Sequence, residues 1–294
     1  MTTPRTTYAL LISTLLLWTF SALAAPKSGT WTATPREDTL QMNFRVQEHG
    51  NLGLSIPRSA FQGLNTQDGA DTKFQLAREA GTLRFEGRFA NGEGAGHYTF
   101  EPSAAYLEEM GKLGYTNITP DEQLQLALFD LGPARVKALA ELGYAKLSHD
   151  ELLQVAIFQV TPEHIRALKA AGYDKLTLEE VVASRIHGVT PEHIREMADL
   201  GLRKLDFDDL VATRIHGLNA QFVREVKGLG FTNPTLDELM SMRIHGVTPK
   251  FVQEMREAGY PHVTIEQLVG MRIHGIDGNY VRSLSKNKGS GRKE

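Results

Sequence analysis

The sequence contains no cysteine, and this absence excludes several kinds of bond and site. Without thiols there is no disulfide, no cysteine nucleophile and no lipid-bearing cysteine of a lipoprotein. The net charge is also small, −3 at pH 7 with histidine neutral. Such a balance argues against a dedicated nucleic-acid-binding protein and against a polybasic membrane-surface protein. The folded chain must therefore be held together by its apolar core.

Familiar catalytic signatures are missing as well. The 294 residues contain no His-Glu-x-x-His, no Gly-x-Ser-x-Gly and no Walker loop. His49, His97 and His149 are isolated in the sequence, and a structural role is the simpler interpretation of each. The sequence therefore predicts a non-enzymatic protein with no catalytic residue, no metal and no cofactor. The alternative is an enzyme with an unrecognised site at the junction of its two domains.

One long apolar run is present, and it lies at the N-terminus. Arg5 precedes apolar residues from 8 to 20, and Ala22-Leu23-Ala24 fits the small-x-small pattern of a signal-peptidase site. Residues 1–24 are therefore predicted to be a secretory signal peptide. The alternative is an uncleaved anchor, for which the run is short. No other segment could span a bilayer, so the mature chain is predicted to be periplasmic or secreted, without a membrane span.

Residues 25–101 show the period of two that is typical of strands with one buried face. Leu40, Met42 and Phe44 alternate with polar residues. Asn91-Gly92 is typical of a two-residue hairpin turn, because both of its positions need positive φ. The prediction is an antiparallel sheet of about six strands, whose apolar face needs a cover, most simply the chain that follows. The predicted strands lie around Trp31, 40–46, 52–56, 74–76, 83–89 and 98–100.

Residues 102–275 repeat one unit six times. Arg-Ile-His-Gly tetrads end at glycines that are 29 residues apart, and a fixed period of this length is the signature of a stacked repeat array. The tetrad glycines are Gly188, Gly217, Gly246 and Gly275. Units one to six are 102–130, 131–159, 160–188, 189–217, 218–246 and 247–275.

Each unit carries start and stop signals for two short helices. In unit four, Thr190 is a typical N-cap and Pro191 follows it at the first helical position. Gly201 is typical of a helix C-terminus in left-handed geometry, and an apolar or aromatic residue follows this glycine in every unit. The second helix begins with a capping box, such as Thr177 with Glu180.

A buried stripe is predicted for each second helix, formed in unit four by Leu210, Val211 and Ile215. Two such short helices cannot bury a core alone, so the units are predicted to stack into an α-solenoid. The overall prediction is an α+β protein, in which a small sheet domain precedes this array. The same stripe is repeated as Val181, Val182, Ile186 and as Leu239, Met240, Ile244.

The first and last parts of the array depart from the pattern. Units one and two have Phe129 and Phe158 where later units have the tetrad histidine, and burial of both rings is predicted. Residues 276–284 resemble half of a seventh unit that caps the array. Residues 285–294 are predicted to be a disordered basic tail.

Two basic columns are the candidate binding residues. They could meet an acidic protein, peptide or polymer, but they could also complement helix ends or pair internally with acids such as Glu163 and Glu192. Histidines of successive units cannot share one metal ion, because stacked helices lie about 8–10 Å apart. The first column is Arg185, Arg214, Arg243 and Arg272 with His187, His216, His245 and His274; the second is Arg166, Arg195 and Arg224.

Nucleic-acid binding is a further alternative, which the residues disfavour. The Ile-His-Gly-Val-Thr-Pro joints are similar to the hairpin of helix-hairpin-helix DNA-binding modules, whose backbone N–H groups hold a phosphate. Here Pro191 removes one such donor, Thr190 caps another, and the second glycine of that motif is absent. The chain also has no basic excess to support such binding.

The repeats and the segment before them carry a family resemblance. The joints 185–191 and 243–249, together with Phe85-Glu86-Gly87-Arg88-Phe89 and Gly94-Ala95-Gly96-His97, resemble a group of exported bacterial proteins of largely unknown function. The repeats are also similar to those in the extracytoplasmic part of some antibiotic-sensor-type membrane metallopeptidases. The resemblance covers nearly all of 29–284 and implies an envelope location with a recognition or sensing role. The metal motif and membrane helices of those peptidases are absent.

Overall fold

A computed structural model describes residues 27–46 and 50–283. The predicted fold class is confirmed, because a curled antiparallel sheet precedes an array of α-helices. The chain divides into two compact bodies. The sheet domain comprises the described residues up to Ala77 and Thr82–Pro102, and the helical domain comprises Arg78–Gly81 and the described residues from Ser103 onwards. The predicted signal peptide, His49 and the predicted basic tail lie outside the described residues.

In the described part of the chain seven strands form the sheet, one more than the sequence predicts. The additional strand, β4, contains only two residues, and so short a strand has no detectable period. The strand order is β3-β2-β1-β7-β6-β5-β4. The strands are β1 (Lys27–Pro35), β2 (Thr39–Val46), β3 (Gly50–Pro57), β4 (Phe61–Gln62), β5 (Asp71–Arg78), β6 (Gly81–Ala90) and β7 (Glu93–Pro102). The predicted hairpin turn is confirmed, since Asn91 and Gly92 join β6 to β7 with φ of 52° and 78°.

The sheet curls and packs its apolar face against itself. Trp31 on β1 lies 5.4 Å from Phe74 on β5, measured between ring centroids, although β7 and β6 separate these strands. In a flat sheet the two strands would be about 14 Å apart. Phe44 on β2 and Phe61 on β4 also contact Phe85, from opposite sides of β6 in the strand order. The aromatic rings of the sheet therefore bury one another across its concave face, and a cover by the chain that follows stays a prediction.

Two glycines of the resemblance motif permit this curvature. A Cβ atom on Gly87 would lie 2.2 Å from the carbonyl oxygen of Ala95 and 2.7 Å from the ring of Trp31. A Cβ atom on Gly96 would lie 2.0 Å from the carbonyl oxygen of Glu86. Only glycine allows β6 and β7 to approach in this way. The Trp31 ring can therefore pack over the backbone of β6.

Each repeat unit forms one helical hairpin. The second helices lie side by side along the array, since α2 contacts α4, α4 contacts α6, α6 contacts α8, and α10 contacts α12. The first helices of units one to six are α1 (Ala104–Lys112), α3 (Pro133–Glu141), α5 (Pro162–Ala170), α7 (Pro191–Asp199), α9 (Ala220–Gly228) and α11 (Pro249–Glu257). The second helices are α2 (Pro120–Leu128), α4 (His149–Ile157), α6 (Leu178–His187), α8 (Phe207–Ile215), α10 (Leu236–Ile244) and α12 (Ile265–Ile273).

The predicted helix signals are confirmed in most units. Capping boxes with both reciprocal hydrogen bonds begin α2, α4, α6, α10 and α12. Asp206 at the start of α8 makes no side-chain cap, in keeping with its weaker match to the motif. Gly201 has the predicted positive φ, at 91°. The backbone of the array therefore follows from local signals in the sequence.

The predicted stripe of the second helices is partly wrong. Leu210 is buried, but Ile215 is 56% exposed, and Ile186 and Ile244 are exposed to a similar extent. Thr213 takes the inward position, at 0% exposure. Ile215 lies two residues further along α8, about 200° around the helix, and so points away from the core. The tetrad isoleucines therefore form surface, not core.

The expected burial of Phe129 and Phe158 is also corrected, because both side chains are only half-buried. Each is the C-cap residue of its helix, at the edge of the array. The residues that follow, Asp130 and Gln159, adopt the positive φ that glycine supplies in later units, at 58° and 52°. At the other end of the array, residues 278–283 are helical, and Val281 is buried with the core of units five and six.

Candidate functional site

The tetrads form a surface column that we call the Arg-Ile-His ridge. It is composed of Arg185–His187, Arg214–His216, Arg243–His245 and Arg272–His274, at the C-terminal ends of α6, α8, α10 and α12. All four arginines and all four isoleucines are exposed, and the isoleucines are 51–57% exposed. An apolar side chain thus lies between a cation and a histidine in each of four successive units.

Each ridge arginine caps a helix of the preceding unit. Arg214 Nε donates to the carbonyl oxygen of His187 at 3.2 Å, and Arg243 Nε donates to that of His216 at 2.9 Å. Arg185 makes the equivalent bond to the carbonyl oxygen of Phe158, and Arg272 bonds that of Gly246, one residue further along, both at 3.0 Å. Cations at helix C-termini complement the helix dipole and satisfy free carbonyl groups. The arginines therefore join neighbouring units and do not cap their own helices.

The tetrad glycines accommodate these arginines. Gly217 has φ of 65°, and a Cβ atom there would lie 2.6 Å from a terminal nitrogen of Arg243. Gly275 has nearly the same φ, 67°, but a Cβ atom there would meet nothing within 4 Å. Glycine is thus favoured twice within the ridge, by its backbone conformation and by the arginine that covers it.

Beneath the ridge, each arginine lies beside one interior position of its own unit. That position holds His164, His193, Phe222 and Phe251 in units three to six. Arg243 lies 5.1 Å above the ring of Phe222, and Arg272 lies 4.7 Å above that of Phe251, at cation–π distance. In units three and four the same cation faces an imidazole.

The two histidines at this position, of which His193 is buried and His164 half-buried, pair with hydroxyl groups on the second helix. His164 Nε2 lies 2.6 Å from Ser184 Oγ, and His193 Nε2 lies 2.8 Å from Thr213 Oγ1. Burial first, and the charge of Arg185 second, lowers the pKa of His164. The pKa of His193 is lowered in the same way by burial and by Arg214, against an opposing effect of Glu196. Neutral imidazole is therefore favoured at both positions.

These pairs have the atoms of a nucleophile and base but not the arrangement. Ser184 is 1% exposed and Thr213 is 0% exposed, so no substrate carbonyl can reach either oxygen. Each hydroxyl donates its proton to a carbonyl of its own helix, that of Val181 or Leu210, at 2.6 Å. The oxygens must then accept from Nε2–H, which leaves no base facing the hydroxyl. The pairs join the two helices of a hairpin.

The second predicted column differs from the ridge, because two of its three arginines are ion-paired. Arg166 lies 3.2 Å from Glu163, and Arg195 lies 2.7 Å from Glu192, on the same helix in each case. Arg224 lines an open groove together with Glu192, Glu196 and Asp199. By contrast, among the described residues no carboxylate lies within the 4.0 Å ion-pair distance of the four ridge arginines. Internal pairing thus fits the second column, and the ridge keeps its positive charge.

A groove adjoins the ridge at units two and three. It lies between α4 and α6, has a volume of about 540 Å³, and is lined by Phe158, Val182, Ala183 and Ile186 among others. Glu151 and Glu179 lie on its lining at the N-terminal ends of these helices. The apolar part of the groove is continuous with the ridge isoleucine. The ridge therefore includes a recess that can receive a side chain.

Sequence reasoning missed two sets of functional or linking residues. The pattern assigns the tetrad isoleucines to the core because they are apolar. The core position is instead taken by Ser184 or Thr213, whose buried hydroxyl groups are hydrogen-bonded. The aromatic residues after the first helices also link units, since Tyr144 and Tyr173 hydroxyls donate to the carbonyl oxygens of Leu176 and Leu205 at 2.8 Å. The available signal was the constant spacing of 20 residues between each histidine and its hydroxyl partner.

In the part of the chain that the structure describes, no three His, Asp or Glu side chains are grouped to hold a metal ion. No helix within 27–46 and 50–283 is long and apolar enough to cross a bilayer. No protein-family model and no curated protein matches the sequence.

Proposed function

We propose that this chain is an exported, non-enzymatic binding protein of the cell envelope, which recognises a protein or peptide partner through its helical array. The observation that carries the proposal is the row of isoleucines on the ridge, each more than half exposed. Apolar side chains clustered on a surface mark interaction sites. Repeat arrays use their extended faces for recognition.

Charge supports the same surface. The ridge arginines have no carboxylate partner among the described residues, whereas Arg166 and Arg195 are neutralised by neighbours on their own helices. Each ridge guanidinium donates one Nε–H to a carbonyl oxygen, and its other N–H groups can serve a partner. Arginine with an apolar neighbour is enriched at protein interfaces. The ridge thus joins an apolar contact to a positive potential.

Position-specific cross-linking tests this function. A photo-reactive amino acid at Ile215 of the mature chain is expected to form an adduct with an envelope protein, because the side chain lies at the centre of the ridge. The same amino acid at Arg195 serves as the control on the ion-paired column. Adding Ile186→Ser and Ile244→Ser is expected to remove the adduct. Equal adducts from both positions, or none from position 215, would contradict the proposal.

Export is the second part of the proposal and has its own test. Processing is expected after Ala24, so that the mature protein begins at Ala25. Mass spectrometry of the protein recovered from the envelope fraction measures this N-terminus. A mature chain that begins at Met1 or Thr2 would show that residues 1–24 are not removed.

A further inference from the structure

The ridge has a regular spacing, and this spacing limits the shape of a partner. Successive isoleucines lie on neighbouring second helices, for α6 contacts α8, α10 contacts α12, and Arg243 of α10 bonds the carbonyl oxygen of His216 at the end of α8. Packed helices are about 8–10 Å apart. Along the ridge an apolar side chain, with an arginine beside it, therefore recurs about every 8–10 Å.

An extended peptide can match this spacing in one common conformation. A polyproline II helix rises about 3.1 Å per residue with three residues per turn, so every third side chain lies on one side at intervals of about 9.3 Å. In a β-strand, side chains on one face recur at about 6.6–6.8 Å. An α-helix of the partner would present apolar residues on one face once per turn, at intervals of about 5.4 Å. Only the first of these repeats matches the ridge unit by unit.

The charge of the ridge sets the second requirement. Arg214 and Arg243 directly precede Ile215 and Ile244 in the sequence, and each guanidinium retains N–H donors after its bond to a helix carbonyl. Carboxylates are the protein groups that such donors bind through charge-assisted hydrogen bonds. A partner residue next to each apolar side chain should therefore be acidic.

We propose that the ridge binds an extended acidic peptide segment in which an apolar residue recurs about every third position beside a carboxylate. This inference rests on the proposed function and names the class of its partner. The isoleucines supply the apolar contacts, and the arginines bind the carboxylates. The groove between α4 and α6 receives one apolar side chain near Phe158 and Ile186.

Synthetic peptides test the proposal directly. The probe is a fluorescently labelled peptide of about five Pro-Leu-Glu triplets, a sequence that favours the polyproline II conformation. The controls are a shuffled peptide of the same composition with irregular leucine spacing, and a peptide with Lys in place of Glu. Fluorescence anisotropy with the mature chain is expected to show binding of the probe, weaker binding of the shuffled peptide by about tenfold or more, and no binding of the lysine peptide.

Variants of the protein separate the ridge from general charge. The triple variant Ile186→Ser, Ile215→Ser, Ile244→Ser is expected to bind the probe about tenfold or more weakly and to keep its circular dichroism spectrum, because these side chains are exposed. A matched variant, Leu107→Ser with Tyr260→Ser, removes exposed apolar groups elsewhere and should bind as the parent does. Equal binding by ordered and shuffled peptides, or unchanged binding by the triple variant, would overturn the proposal.

The two proposals fail in different ways. If the probe does not bind but position 215 still cross-links a partner that requires Ile186 and Ile244, the extended acidic peptide is wrong and the binding function stands. If cross-linking at position 215 also fails, the ridge is not a binding surface and both proposals are overturned.

Discussion

Units three and four share their backbone with units five and six but fill the same interior position with opposite chemistry. In the earlier pair, His164 and His193 bond to hydroxyls of the second helix. In the later pair the position holds Phe222 and Phe251, both buried. The hydroxyl position is Met242 in unit five, at 0% exposure. The caps and glycines thus specify the hairpin, and the interior varies as long as the two facing residues match.

The contacts between units also change from polar to apolar along the array. Tyr144 and Tyr173 extend their hydroxyls to carbonyls of the following unit. The corresponding residues later in the array are Leu202 and Phe231, which have no hydroxyl and pack against the apolar core of units five and six. At this position the first part of the array is therefore joined by hydroxyl hydrogen bonds and the last part by apolar contacts, while the ridge arginines join units in both parts. Polar contacts fix geometry, whereas apolar burial tolerates exchange of similar side chains.

Placing a histidine at the corresponding position of unit five should have the largest effect on stability. Phe222→His is expected to lower the free energy of unfolding by about 2–4 kcal/mol, because it removes a buried ring and leaves imidazole nitrogens without a partner beside Met242. Adding Met242→Thr restores the hydroxyl of unit four and should recover about 1 kcal/mol. Chemical denaturation of both variants measures the changes. A double variant no more stable than the single one would show that the two chemistries are not interchangeable.

The sequence predicts the helix ends of these units, but it does not predict which side chains are buried between the two helices. Thr190, Gly201 and the capping boxes act through their own backbone, so the helix bounds follow from local signals. The inward position of Thr213 could not be found in that way, since its burial depends on a histidine of the other helix. The curl of the sheet was also missed, because Trp31 meets Phe74 across two intervening strands.

For the ridge, too, the sequence predicts the features that are set locally and misses those that depend on tertiary contacts. Its residues were identified from the repeated tetrad, and the sequence placed their arginines at helix ends. The bond from Arg214 to the carbonyl of His187 crosses between units, so its acceptor could not be read from the sequence. The exposure of Ile215 was missed for the same reason, because it follows from what Thr213 contacts inside.

Removing one hydroxyl link should have an intermediate effect and sharpen the comparison. Tyr173→Phe is expected to cost about 1 kcal/mol, because the carbonyl of Leu205 loses its donor. Tyr260→Phe is the matched control, since this side chain is 43% exposed and stands in the last full unit. Thermal or chemical denaturation should show a loss for the first variant and none for the second. Equal losses would mean that the hydroxyl does not link units.

Acid should distinguish the two halves with the smallest effect. The pKa values of His164 and His193 are lowered in the folded protein, whereas an unfolded histidine titrates near about 6.5. The stabilisation by neutral imidazole is thus complete above about pH 6.5 and is lost as the pH falls through that value towards the folded pKa. Arg214 opposes protonation of His193, and Glu196 favours it.

Amide hydrogen exchange measures this dependence unit by unit. Between about pH 7.5 and about pH 5, after correction for intrinsic exchange, protection is expected to fall in units three and four and to hold in units five and six. The variant His164→Phe with Ser184→Met should make unit three behave like unit five. Uniform loss of protection along the array would show that the interior histidines are not the cause.

The arginine hydrogen bonds between units also give the array a direction and a modular organisation. Every such bond runs from one unit back to the one before it, so a unit carries the donor for its predecessor and an acceptor for its successor. Excising residues 218–246 would bring Arg272 to the C-terminal end of α8, where Arg243 now bonds, with the carbonyl of Gly217 in place of that of Gly246. Units five and six can therefore be treated as exchangeable modules. Recombination could lengthen or shorten the ridge by one unit at a time.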